Sequence, residues 1–144
     1  MTVHGTRLDN SDGGMLLAGT RLALVLEQLI NRNQGLVFGQ ALELRGAQLD
    51  NQRGTLGATD ALRVSLAIQA AGSDGLLDNR QGRLDSAGSL TLDGVVLDNR
   101  GGALSSAGDL EVRSAAALDN AGGVIETDAA LSLHSARLDN RDGG

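Results

Sequence analysis

The stretch LDNRGGALSSAGDLEV, Leu97 to Val112, decides the fold, because its opening triplet Leu-Asp-Asn occurs six times in 144 residues. With each opening Leu taken as position zero, the starts are Leu8, Leu29, Leu49, Leu77, Leu97, Leu118 and Leu138, Leu29 opening the variant Leu-Ile-Asn. Successive spacings are 21, 20, 28, 20, 21 and 20 residues. Self-similarity at such a period is the mark of a stacked-repeat architecture.

Other columns line up within each interval. Seven residues on stand Met15, Leu36, Leu56, Leu84, Leu104 and Ile125. Thirteen on stand Leu42, Leu62, Leu90, Leu110 and Leu131, and fifteen on Leu44, Val64, Leu92, Val112 and Leu133; Leu22 and Leu24 come one place late. Two before the start lie Ala47, Val95, Ala116 and Ala136. Apolar and polar residues alternate at these places, as in Leu110-Glu111-Val112, so extended strands with one inward face are expected. Gly13, Gly54, Gly82, Gly102 and Gly123, then Gly19, Asp60, Gly88, Gly108 and Asp128, punctuate the strands and read as turns that use left-handed backbone.

Short strands every ~20 residues, with no helix-length segment between, predict an all-β parallel β-helix of about seven coils, right-handed by the usual crossover preference. Residues 1–144 then form one repeat segment about 30 Å long. A leucine-rich repeat fits less well: it places Asn three residues after the last strand Leu, where this chain has Ala115.

The triplet now has a physical reading. Leu points inward, Asp outward, and Asn inward at a bend, where it stacks on its copy about 4.8 Å away. Stacked amides both donate and accept, which satisfies polar groups at a buried corner. The Asn column Asn10, Asn31, Asn51, Asn79, Asn99, Asn120 and Asn140 is unbroken, whereas the Asp column is interrupted by Ile30. Asn is therefore expected to be the structural member, a ladder beside the Leu column. Neighbouring Asp carboxylates repel by somewhat under ~1 kcal/mol in water, and Arg32, Arg80, Arg100 and Arg141 are placed to offset this. A calcium roll would need a nine-residue period, which is not present.

Composition narrows the function. The chain is 41% hydrophobic, yet Phe38 is its one aromatic residue and it has no Pro or Cys. Leu, Ala and Val must build the core, as suits identical stacked layers. A net charge of −6 with Arg as the sole strong base argues against nucleic-acid binding and against an anionic-membrane face. No apolar run approaches the ~18 residues of a membrane helix, and no signal peptide opens the chain. The segment is thus either cytosolic or an excised piece of a larger protein.

The combined pattern resembles the haemagglutinin repeats of filamentous haemagglutinin-type exoproteins. It has Leu-Asp-Asn, Gly five on, Leu seven on, Ser or Thr nine on, Gly eleven on, and Leu and Leu or Val at thirteen and fifteen. Those are large two-partner-secreted proteins of Gram-negative bacteria, among them contact-dependent growth-inhibition effectors. The resemblance runs from Leu8 to Gly144 and is best over Leu77 to Ser135. It implies secretion through an outer-membrane transporter partner, display at the bacterial cell surface and a role as shaft, with surface ligands of host or neighbouring cells met elsewhere in the parent. The piece is expected to have no terminal caps, so its coil ends could associate end to end.

One irregularity stands out. The 28-residue interval carries about eight extra residues, a loop at 69–76, whose Gln69, Ser73 and Asp74 are candidates for binding surface or glycan ligands. No cofactor, metal ligand set or phosphate loop is recognisable. Ser132, His134 and Asp139 are near in sequence, but alternation turns Ser132 and His134 to solvent, and a triad needs converging groups. A carbohydrate-active enzyme is the remote alternative, and one Phe offers it no stacking platform. The reading is therefore a non-enzymatic spacer, with direct adhesion through the 69–76 loop as the alternative.

Overall fold

The computed structural model describes residues 1–69 and 73–144. Strands follow in the order β1 (Thr2–Asp9), β2 (Met15–Ile30), β3 (Leu36–Gly46), β4 (Gln48–Asp50), β5 (Thr55–Leu66), β6 (Ile68–Gln69), β7 (Ser73–Asp74), β8 (Leu76–Asp78), β9 (Arg83–Ser86), β10 (Ser89–Asp98), β11 (Ala103–Ser106), β12 (Leu110–Asp119), β13 (Val124–Thr127) and β14 (Leu131–Asp139). All but β6 and β7 join one sheet of twelve strands, and every pairing within it is parallel. The fold is an all-β parallel β-helix of about six turns, which are the six intervals between the seven starts.

Register follows the sequence columns. Leu8, Leu29, Leu49, Leu77, Leu97, Leu118 and Leu138 pair in succession up the stack. Leu22, Leu42, Leu62, Leu90, Leu110 and Leu131 form a second column, and Leu24, Leu44, Val64, Leu92, Val112 and Leu133 a third. Their inner members are buried, and a fully buried Leu contributes ~1.5–3 kcal/mol. Leu138, in the last described coil, is 49% exposed.

The fourth column is Leu16, Val37, Leu56, Leu84, Leu104 and Ile125. Met15 and Leu36, expected inward, therefore stand at outward places, and Met15 is 65% exposed. The cause is a longer turn. The first two coils place two residues in the left-handed region, Asp12 with Gly13 and Asn33 with Gln34, as does the last turn with Asp142 and Gly143, where the four turns between use Arg53, Gln81, Gly101 or Gly122 alone. The extra residue shifts the strand that follows by one. In the first coil the shift persists, which makes Leu22 and Leu24 late; in the second, a corner one residue shorter at Gly39–Ala41 absorbs it.

The Ala column two before the start divides. Ala47 is buried, but Ala116 and Ala136 are exposed. At this corner Ser114 takes the inward place, its hydroxyl 2.6 Å from the Ala117 carbonyl and 2.9 Å from that of Val95. The additional residue of the Leu97–Leu118 interval is accommodated here, between Ser114 and Ala117. Phe38, the single aromatic residue, is 36% exposed, and a Cβ on Gly57 would meet its Cδ2 at 2.8 Å, so the glycine makes room for the ring one coil below.

Candidate functional site: the Asn corner and the β6–β7 pair

From Asn10 to Asn120, each side-chain amide of the Asn column donates to the side-chain oxygen of the Asn in the next coil. The distances are 2.8 Å for Asn10 to Asn31 and for Asn31 to Asn51. They are 2.7 Å for Asn51 to Asn79, Asn79 to Asn99, Asn99 to Asn120 and Asn120 to Asn140. All six bonds run the same way along the shaft. The same nitrogens reach backbone oxygens, as Asn99 does to Gly102 in its own coil at 3.3 Å and Val124 in the next at 3.2 Å. Asn31, Asn51, Asn79, Asn99 and Asn120 are buried. Among the described residues no buried side-chain nitrogen or oxygen lacks a partner.

Gly54, Gly82, Gly102 and Gly123 close their turns by donating to the Asn carbonyl, as from Gly102 to Asn99 at 2.9 Å, whereas in the longer turns Gly14, Gly35 and Gly144 donate to the residue after the Asn, Ser11, Arg32 and Arg141. Gly54, Gly82, Gly102 and Gly123 do not have left-handed backbone; the residue before each of them does. Nor do Gly19, Asp60, Gly88, Gly108 and Asp128. What the first set needs is room. A Cβ on Gly54, Gly82 or Gly123 would stand 1.8, 2.1 or 2.3 Å from the Asn carbonyl oxygen one coil below. At Gly88 the obstacle is the Asp60 oxygen, at 1.7 Å.

Outside the corner, the Asp column is neutralised along its length. Arg80 bonds Asp78 at 2.6 Å and approaches Asp98 at 3.7 Å; Arg100 bonds Asp98 at 2.5 Å and approaches Asp119 at 3.6 Å. Arg32 holds Asp50, and Arg141 holds Asp139 at 2.8 Å. Burial alone would raise the Asp98 pKa, but the side-chain and backbone hydrogen bonds from Arg100 and the charges of Arg100 and Arg80 outweigh it and hold the carboxyl below its usual value. On a neighbouring face Glu43 is lowered likewise, chiefly by its hydrogen bond from Arg45 at 2.6 Å and with a further bond from Arg21.

Strands β6 and β7 form a separate antiparallel pair, Ile68 opposite Asp74 and Gln69 opposite Ser73, apart from the main sheet. Ala70, Ala71 and Gly72, and the side chains of Gln69, Ser73 and Asp74, fall outside the described residues. Ser132 Oγ and His134 Nε2 lie 3.1 Å apart on the exposed side of β14, while Asp139 is engaged by Arg141, so the three are not assembled into a relay.

Comparison with known proteins agrees with this architecture. The haemagglutinin-repeat model matches residues 1–28, 26–72, 65–122 and 114–144, which together span the chain. Over 92 residues, 56% of this chain, the sequence is 47% identical to the Deoxyribonuclease CdiA of Dickeya dadantii (strain 3937). The match covers 3% of that relative's length. No solved structure matches. With the repeat matched in overlapping stretches from end to end and its columns stacked coil on coil, the chain belongs to the haemagglutinin-repeat family.

Proposed function

We propose that this segment is part of the rigid shaft of a two-partner-secreted exoprotein, exported through an outer-membrane transporter and displayed at the bacterial surface, where it sets reach. The observation that carries this reading is the continuity of the core and of the Asn ladder through every coil, which makes each coil a copy of its neighbour. Such a stack supplies length and stiffness. The reading gives the segment no catalytic step. The relative's name describes a nuclease, and the matched region is a small part of that protein, so the activity in the name is not carried over to these coils.

The hairpin supports a second reading, direct adhesion to cell-surface or glycan ligands through the inserted residues, because insertions in solenoids project from one face and commonly bind. The test is binding of the purified segment to target cells and to a glycan array, beside a variant lacking 68–75. A shaft binds in neither form. Saturable binding that disappears with the hairpin establishes the adhesive reading, and binding that persists without it overturns both.

A further inference from the structure

We propose that the corner between Ala67 and Leu76 is a display port: a seat in the shaft that carries an inserted segment without altering the register of the coils. The backbone hydrogen bonds carry this. The Ala67 amide donates to the Gly46 carbonyl at 2.9 Å, and the Leu76 amide donates to the carbonyl of the very next residue, Ala47, at 3.1 Å. Leu66 is in register with Gly46, and Leu76 with Gln48. Ala67 and Leu76 therefore continue each other along the lower coil, and the eight residues 68–75 lie between them. Removing eight from the 28-residue interval leaves 20, the spacing of the ordinary coil.

The coil above is adapted to the same junction. In the second coil one corner residue, Ala47, both donates downward, to Glu27 at 3.0 Å, and accepts from above. In the third coil the two tasks are divided. Ala67 donates downward, and Gly75 at the hairpin exit accepts the Val95 amide at 2.9 Å and the Val96 amide at 3.4 Å. Gly75 is buried with φ +55°, and a Cβ on it would meet the Leu66 oxygen and Val95 Cγ2 at 2.9 Å. Opposite it, Gly94 is also buried, and a Cβ there would stand 3.0 Å from the Gly75 oxygen. The entry and the exit of the insert are thus each bonded to a different neighbouring coil. Among the described residues, the segment between them contributes no strand to the main sheet.

The functional meaning is modularity. A port of this kind lets one shaft present different recognition segments at a fixed height and orientation while its core stays unchanged. The inference concerns the seat rather than any ligand, so it stands or falls separately from the adhesive reading.

Three variants of the full segment test it: deletion of 68–75, replacement of 69–74 by a six-residue Gly/Ser linker, and Gly75→Val. Thermal melting and amide exchange at Val95, Val96 and Leu76 are the readouts. The deletion and the linker variant are expected to melt within about 3 °C of the parent, a shift that corresponds to small stability changes in a domain of this size. Their exchange protection at the three amides should persist, because in the deletion the Ala67 carbonyl takes over from Gly75. Gly75→Val, although it keeps the whole insert, should melt lower than either and lose protection at Val95 and Val96. If the deletion and the linker variant both unfold, or both lose that protection, the hairpin is an integral part of the coil and the port is refuted. If Gly75→Val melts like the parent, the clamp at the exit is refuted.

Discussion

A methyl group on Gly102 would stand 2.2 Å from the backbone oxygen of Asn79, one coil below. Gly101, immediately before it, has φ +60° and open space around its missing side chain, the nearest atom being Gln81 Cγ at 3.8 Å. Two adjacent glycines thus have two different reasons to be glycine: one relieves backbone conformation, the other allows two coils to approach. Gly101→Ala should cost about 1 kcal/mol, the strain of a left-handed residue. Gly102→Ala should cost several times as much, since the whole coil must lift. Chemical denaturation of the two variants checks the order, and equal costs would contradict the close-approach account.

Asn99→Ala removes the acceptor of Asn79 and the donor to Asn120, Gly102 and Val124 in a buried corner. Leaving buried groups unpaired costs ~1–3 kcal/mol each, so a total of roughly 3 kcal/mol is expected. Asp98→Ala breaks partly exposed ion pairs worth ~1 kcal/mol or less. Urea midpoints should therefore fall clearly further for the Asn variant than for the Asp variant.

Asn99→Asp separates the two directions of the ladder. A carboxylate still accepts from Asn79 but turns an oxygen toward Asn120 Oδ1, where a donor stood. Burial raises the folded pKa of the introduced acid above its unfolded value near ~3.9. Protonation restores a donor, so the variant's deficit should be largest at neutral pH and shrink as the pH falls toward that value. A deficit that is flat between neutral pH and pH 4 would count against the bond order described.

The native carboxylates have the opposite sign. Asp98 and Glu43 have folded pKa values below their unfolded ones, so their contribution is present above the unfolded range near ~4 and is lost as pH falls through the lower folded values. Stability should hold steady from neutral to about pH 5 and decline below about pH 4. In Asp98→Asn that acid decline should be shallower, which melting curves across the range would reveal.

Leu110→Asp places a charge at a fully buried site paired with Leu90 below and Leu131 above. An unpaired buried charge is tolerated poorly, and in a stack each coil depends on its neighbours. Amide protection should vanish from β10, β12 and β14 together. Loss confined to residues near position 110 would mean that the coils are less coupled than their shared core implies.

Much of this was legible in the sequence because a solenoid repeats one environment. The Leu and Asn spacings alone place those side chains at equal heights, and period-two alternation around Leu110 and Val112 tells which way they point. The misreadings have local physical causes. Met15 and Leu36 fall in their column by arithmetic, but one extra turn residue flips the following strand, since strand faces alternate residue by residue. Gly102 reads as a user of left-handed backbone because sequence reveals nothing of a carbonyl 23 residues earlier that occupies the place of its Cβ. Ala116 is displaced by Ser114, whose hydroxyl finds two carbonyls that no spacing rule foretells. The eight additional residues were visible as a count, but their seat between two consecutive carbonyls, Gly46 and Ala47, only in three dimensions.

The uniform direction of the Asn bonds has a consequence for assembly. Wherever such a shaft is cut, one face of the cut exposes amide donors and the other exposes amide acceptors, like stud and socket. Two pieces related by a twofold axis would bring stud to stud. Any joining through this corner must be head to tail, so the shaft is a vectorial object whose two directions are chemically distinct.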